Sequence, residues 1–208
     1  MNVQLLGSFI LATSALAISP GPDNIYVMMQ SLINGKRFGL ATVAGLISGC
    51  IVHTTLVAFG ASAIIKTNDV LFSILKLFGA GYLIYLAISV YRSNHQFEFD
   101  ANQISIKTEG QLFKQGFIMN VLNPKVSIFF LAFFPGFLFS NTLNSVIQFY
   151  VLGFLFMLVS AIIFSAIALL AGSISKYLRR NSKVGFYLKW MQIIVFLGIA
   201  FLILTAKN

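Results

Sequence analysis

Charge is what this sequence has least of. Only 9% of its 208 residues are Asp, Glu, Lys or Arg, against roughly 25% in a soluble domain. Residues 38–65 and 126–175 contain none at all, in runs of 28 and 50 residues, and about 20 apolar residues suffice to cross a bilayer. With a mean hydropathy of +0.90, this excludes a soluble globular fold and points to an integral membrane protein. Acids are rarer still, numbering five, and Asp23 is the only one among the first 68 residues. Cys50 is the sole cysteine, which rules out an internal disulfide and argues against thiol redox chemistry. Histidine occurs twice, as His53 and His95. Hydrolytic or metal chemistry needs clustered ligands or bases, and Asp69, Glu98, Asp100 and Glu109 all fall in or beside loops. A membrane enzyme is therefore the weakest reading, and no metal or cofactor is expected. Lys and Arg are absent from residues 1–35, so the basic region of a cleavable signal is missing. Despite the small-residue pattern Ala15-Leu16-Ala17, the first apolar stretch reads as a retained span.

What remains is hydrophobic sequence punctuated by cations. The net charge of +9 would suggest nucleic acid in a soluble protein. Here the cations sit between apolar runs and report topology instead, so no nucleic-acid partner is expected. The pattern predicts an all-α membrane protein with six transmembrane helices, near 4–33, 38–65, 70–91, 115–139, 145–172 and 187–206. The uncharged 50-residue run must hold two of them, with Ser140–Asn144 as the turn. Lys76 interrupts the third span but can snorkel to the headgroups. Ten Lys or Arg residues, among them Lys36, Arg37, Arg179 and Arg180, fall on one side, and Lys66, Lys76 and Lys207 on the other. The positive-inside rule then places both termini outside the cytoplasm. The chain reads as a single transporter domain, 1–208, with halves of about 1–91 and 115–208 and a cytoplasmic linker at 92–114. Three spans in each half give them opposite orientations, the arrangement of inverted-repeat transporters.

Proline is also scarce, and its four copies all lie in spans one and four: Pro20, Pro22, Pro124 and Pro135. Proline has no N–H, and its ring clashes with the carbonyl four residues earlier. Pro20 and Pro22 are expected to free the carbonyls of Leu16 and Ile18, and Pro124 that of Asn120. Such backbone is tolerated at membrane depth only against protein or a polar cavity. Gly21 permits an abrupt change of direction, and Pro22 suits the first turn of a restarting helix. The exposed N–H groups of that helix attract a carboxylate, and Asp23 beside Asn24 offers an acceptor for a cation or proton. Together they match the two ends of an amino acid. "LNPKVSIFF" at 122–130 repeats the device in span four, with Lys125 supplying a positive charge, and Asp23 and Lys125 could face each other. Competing readings are that Asp23 is a helix cap and that Lys125 snorkels to the surface.

Other residues carry less. His53, in mid-span, is either a titrating group or a hydrogen-bonded packing residue. Gly45 with Gly49, and Gly35 with Gly39, have the spacing of close helix packing. Tyr187 and Trp190 resemble headgroup-level anchors. Phe129, Phe130, Phe133 and Phe134 belong to a set too numerous for one aromatic site and are expected to face lipid or pack.

At these residues the chain resembles the LysE/RhtB family of amino-acid exporters, which includes lysine, homoserine and threonine efflux proteins. "SPGPDN" at 19–24 is similar to the family's signature at the end of its first hydrophobic segment. "NGKRFGLATVAGLISGCIVH" at 34–53, "LKLFGAGYLIYLA" at 75–87 and "GFIMNVLNPKVSIFFLAFFPGF" at 116–137 resemble its next three segments, in order. The resemblance implies export of amino acids or close derivatives across the bacterial inner membrane, driven by proton antiport. By position, the family's motif residues fall on Pro20, Gly21, Pro22, Asn24, Asn123, Pro124 and Lys125. Adding Ser19, Asp23 and His53 from the residue-level reading completes the candidate set for substrate binding or coupling. Two departures bear on substrate identity: Gly49-Cys50-Ile51-Val52 lacks the acid many members carry shortly before the His53 position, and Gly136 stands where many have Gln. A channel or structural membrane protein is the alternative, and a homodimer is compatible with the sequence.

Overall fold

In hydrocarbon a backbone N–H or C=O has no water to turn to, so an apolar chain of this kind satisfies itself as helices. The computed structural model describes residues 3–67, 69–92, 107–180 and 183–205, and no strand occurs among them. The helices are α1 (Val3–Ile18), α2 (Pro22–Ile33), α3 (Lys36–Thr67), α4 (Asp69–Arg92), α5 (Glu109–Val121), α6 (Pro124–Phe133), α7 (Ser145–Arg180) and α8 (Lys183–Thr205). One turn of 3-10 helix, Phe134–Phe137, follows α6. Stretches of α3, α7 and α8 are long and apolar enough to cross a membrane, and five spans result if each bent pair counts as one. The bends are 58° between α1 and α2 and 51° between α5 and α6 with its 3-10 turn. Both fall at the predicted proline breaks. Each half of the chain thus presents a broken helix followed by two further helices.

Two boundaries differ most from expectation. Helix α5 begins at Glu109, inside the segment read as linker, because Thr108 and Gln111 form a capping box. Thr108 Oγ1 accepts from Gln111 N at 3.3 Å, and Gln111 Oε1 accepts from Thr108 N at 2.9 Å. That reciprocal pair satisfies two N–H groups that a helix start otherwise leaves bare. Helix α7 continues to Arg180, beyond the expected end at 172. His95, Glu98 and Asp100 lie outside the described residues.

The predicted Ser140–Asn144 turn is held by a side chain from the following helix. The buried Gln148 accepts from Phe139 N at 2.7 Å and Ser140 N at 2.9 Å, and donates to Ser140 O and Leu143 O. All the bonding capacity of one amide is spent on one turn. Gly35 makes the turn between α2 and α3 at φ +103, a conformation that side chains other than glycine resist. It is therefore a hinge of the backbone, and its expected partner in packing, Gly39, meets Ser31 instead.

Packing places α3 against α5, α7 against α1, α2 and α3, and α4 against α8. The closest crossing is α3 on α5. Gly45 leaves no room for a methyl beside the Phe113 carbonyl, Gly116 none beside that of Thr42, and a methyl at Gly49 would stand 2.7 Å from Asn120 Oδ1. Small residues at such crossings let backbones approach where no hydrophobic force drives association. Phe129, Phe130, Phe133 and Phe134 are buried with Phe9 and Phe156, in a stack where Phe130 and Phe134 lie 4.1 Å apart. These rings pack and do not face lipid. Trp190 and Tyr187 are exposed, as anchors would be.

Gly45→Leu should lower stability in detergent by about 3 kcal/mol, since backbone rather than a flexible side chain must yield. Gly7→Ala, with open space around the added carbon, should be neutral in the same thermal unfolding measurement.

Candidate functional site

The two breaks are repaired by side chains, and the repairs form the site. In the first, Pro22 opens α2 after Gly21, whose backbone is extended and offers no side-chain cap. The backbone N–H groups of Asp23 and Asn24 therefore remain at the open helix end. Asn24 reaches back across the break, its Nδ2 donating to Ala17 O at 2.8 Å. The freed carbonyl that gains a partner is thus Ala17's, flanked by those of Leu16 and Ile18 that the proline pattern singles out.

In the second break Asn123 is the cap of α6, its Oδ1 accepting from Lys125 N at 3.0 Å. The other end of the same amide leaves its own half of the chain. Asn123 Nδ2 donates to Asp23 Oδ2 at 2.8 Å, joining residues 100 apart in sequence. The Asn120 carbonyl, released by Pro124 as expected, is taken up by Asn123 N at 3.0 Å and by His53 Nε2 at 3.0 Å. A carbonyl only accepts, so His53 carries its proton on Nε2. The ring is buried and lies 5.4 Å from that of Phe130.

Lys125 does not turn toward the surface. Its Nζ lies 5.2 Å above the ring of the buried Phe196 and 3.7 Å from where a Cβ on Gly21 would stand. Asp23 is the second residue of α2 and bonds across to Asn123, so it is no cap of its own helix. No ion pair joins Asp23 to Lys125, whereas Arg37 and Glu109 form one at 2.6 Å. Both nevertheless line one cavity of about 30 Å³ together with Gly21, Pro22, Asn24 and Asn123. That is room for about two waters.

Magnitudes show what the arrangement leaves over. Desolvating a carboxylate costs several kcal/mol, and one hydrogen bond to a charged group returns about 1.5–3 kcal/mol. The Asn123 bond alone does not balance the burial of Asp23. A carboxylate and an ammonium set apart in one cavity, each short of partners, can accept the ammonium and carboxylate of a zwitterion.

Residues 14–207 match the LysE type translocator family. The chain belongs to that family. It is 31% identical over 179 residues, 86% of each chain, to a homoserine/homoserine lactone efflux protein of Salmonella typhi, and 30% identical over the same coverage to that of Salmonella typhimurium. No solved structure matches it.

Not every residue singled out in sequence lines the cavity of this LysE-type translocator. Ser19 is buried, with its hydroxyl unpartnered among the described residues. Pro20 borders a larger apolar groove between α2, α7 and α8, of about 530 Å³, which shares Asn24 with the polar cavity. His53 and Pro124 act one step away, through the Asn120 carbonyl and the α6 start. Sequence reading missed Cys50, Asn120, Phe156 and Ser160, all cavity residues. Asn120 entered the sequence reading only through its backbone carbonyl, and Ser160 not at all.

His53→Phe removes one of the two donors to the Asn120 carbonyl and should cost about 1 kcal/mol in stability. His53→Gln, which keeps a donor, should cost clearly less in the same thermal unfolding assay.

Proposed function

We propose that this translocator exports amino acids or close derivatives from the cytoplasm across a bacterial inner membrane, in exchange for protons. The observation that carries the reading is the Asn123–Asp23 bond beside Lys125, made where two broken helices from separate halves of the chain meet. Discontinuous helices with ion-binding ends at a repeat interface are the recurring transporter solution. The relatives named for homoserine and homoserine lactone efflux support the substrate class and supply the probe.

In this reading the chain forms one domain of six spans, with α4 as the sixth. Its three-helix halves are inverted, and both termini lie outside. Asp23 alternates between a proton and the substrate ammonium. An arriving ammonium replaces the Asn123 donor, while Lys125 and the free N–H groups at the start of α2 hold the substrate carboxylate. Proton entry from outside then returns Asp23 to its unloaded state. A second reading assigns the proton to His53, favoured by its bond to the backbone of Asn120, whose side chain lines the same cavity.

In proteoliposomes the wild type should move homoserine saturably against its gradient when a pH gradient is imposed. Asp23→Asn keeps shape and removes titration, so it should abolish uphill transport while leaving downhill exchange. His53→Gln should retain uphill transport. Uphill transport by Asp23→Asn with wild-type pH dependence would sink the Asp23 mechanism and leave His53 as the carrier. Non-saturable flux in the wild type would indicate a channel.

A further inference from the structure

The cavity walls differ in chemistry. Asp23, Asn123 and Lys125 come from the two helix breaks, whereas Phe156, Ser160 and Phe164 come from one uninterrupted face of α7. Their spacing of four residues keeps them on one side of the helix. All three are buried.

Ser160 is the one hydroxyl-bearing side chain that lines the cavity; Thr13, Ser19, Tyr26, Ser31 and Ser145 carry buried hydroxyls without a partner among the described residues but lie outside that lining. Ser14, Ser48, Thr54 and Thr55 each donate to the carbonyl four residues back, the usual resort of a hydroxyl in an apolar helix. Ser160 makes no such bond, and its hydroxyl has no hydrogen-bond partner among the described residues, although the residue is 2% exposed. A hydroxyl that opens onto a polar cavity without a protein partner is free to pair with whatever enters it. The lining also has no third charge: Asp23 and Lys125 are its only charged side chains. Once they hold the charged ends of an amino acid, an ionised substrate side chain would find no counter-charge. An uncharged one would lie against two phenylalanine rings and one hydroxyl.

We propose that Ser160 is a specificity residue of the transport site, pairing its hydroxyl with a hydroxyl on the side chain of a small, uncharged amino-acid substrate. The inference rests on the amino-acid export reading above and adds the feature of the substrate that the site reads. Sites that hydrogen-bond a substrate hydroxyl discriminate strongly against the analogue lacking it, because their own polar group is then left unpaired.

Threonine and valine have nearly the same shape and differ by hydroxyl against methyl, so they isolate this contact. In proteoliposomes, wild-type transport should favour threonine over valine by roughly tenfold or more. Ser160→Ala should shrink that ratio about fivefold to tenfold, the worth of one hydrogen bond, chiefly by weakening threonine transport. Ser160→Thr retains a hydroxyl and should preserve the preference. An unchanged threonine-to-valine ratio in a transport-competent Ser160→Ala, or a wild type that does not discriminate, would overturn the assignment. A wild type that moves neither of these amino acids nor homoserine would overturn the export reading itself, and this inference with it.

Discussion

Everything at the centre of this protein follows from one constraint: a backbone group freed inside a membrane span must find a partner, because no water is there to supply one. Prolines break α1–α2 and α5–α6, and each break releases polar backbone. Asn24 answers for Ala17, His53 for Asn120, and Asn123 for the start of α6. These side chains also line or border the polar cavity. The repair of the helices and the construction of the site are the same set of hydrogen bonds.

That economy explains why the halves are coupled. Asn123 spends one end of its amide on its own helix and the other on Asp23. Anything that competes for the Asp23 carboxylate therefore acts on the joint between the two broken helices. Around this joint the scaffold is held at backbone contact distance, as at Gly45, Gly49 and Gly116, and by the buried phenylalanine stack. Rigid crossings beside a weakly satisfied polar pair suit a site that must exchange partners without unfolding.

Much of this was legible in sequence because its causes are local. Proline chemistry located both breaks and singled out the Asn120 carbonyl, and charge-free length located the helices. The turn at Ser140–Asn144 was visible as a polar cluster. What was not legible depended on which distant residue answers a local need. Nothing near Asn120 indicates that His53 supplies its second donor, 67 residues away, nor that Asp23 bonds Asn123 rather than Lys125. Ser160 is inconspicuous in sequence, since only its place on the cavity wall sets it apart from other unpaired hydroxyls. The family resemblance supplied the motif positions but could not distinguish cavity-lining Gly21 from Pro20, which borders the apolar groove.

Replacing Pro20 and Pro22 together by Ala tests the link between broken helix and function most directly. The double variant regains the missing N–H groups, so α1 and α2 can close into one helix and withdraw the open end that carries Asp23. With membrane insertion verified, homoserine efflux from preloaded cells should fall to the level of cells lacking the protein. Efflux at the wild-type rate would show that the break is a packing kink and that the transport site lies elsewhere.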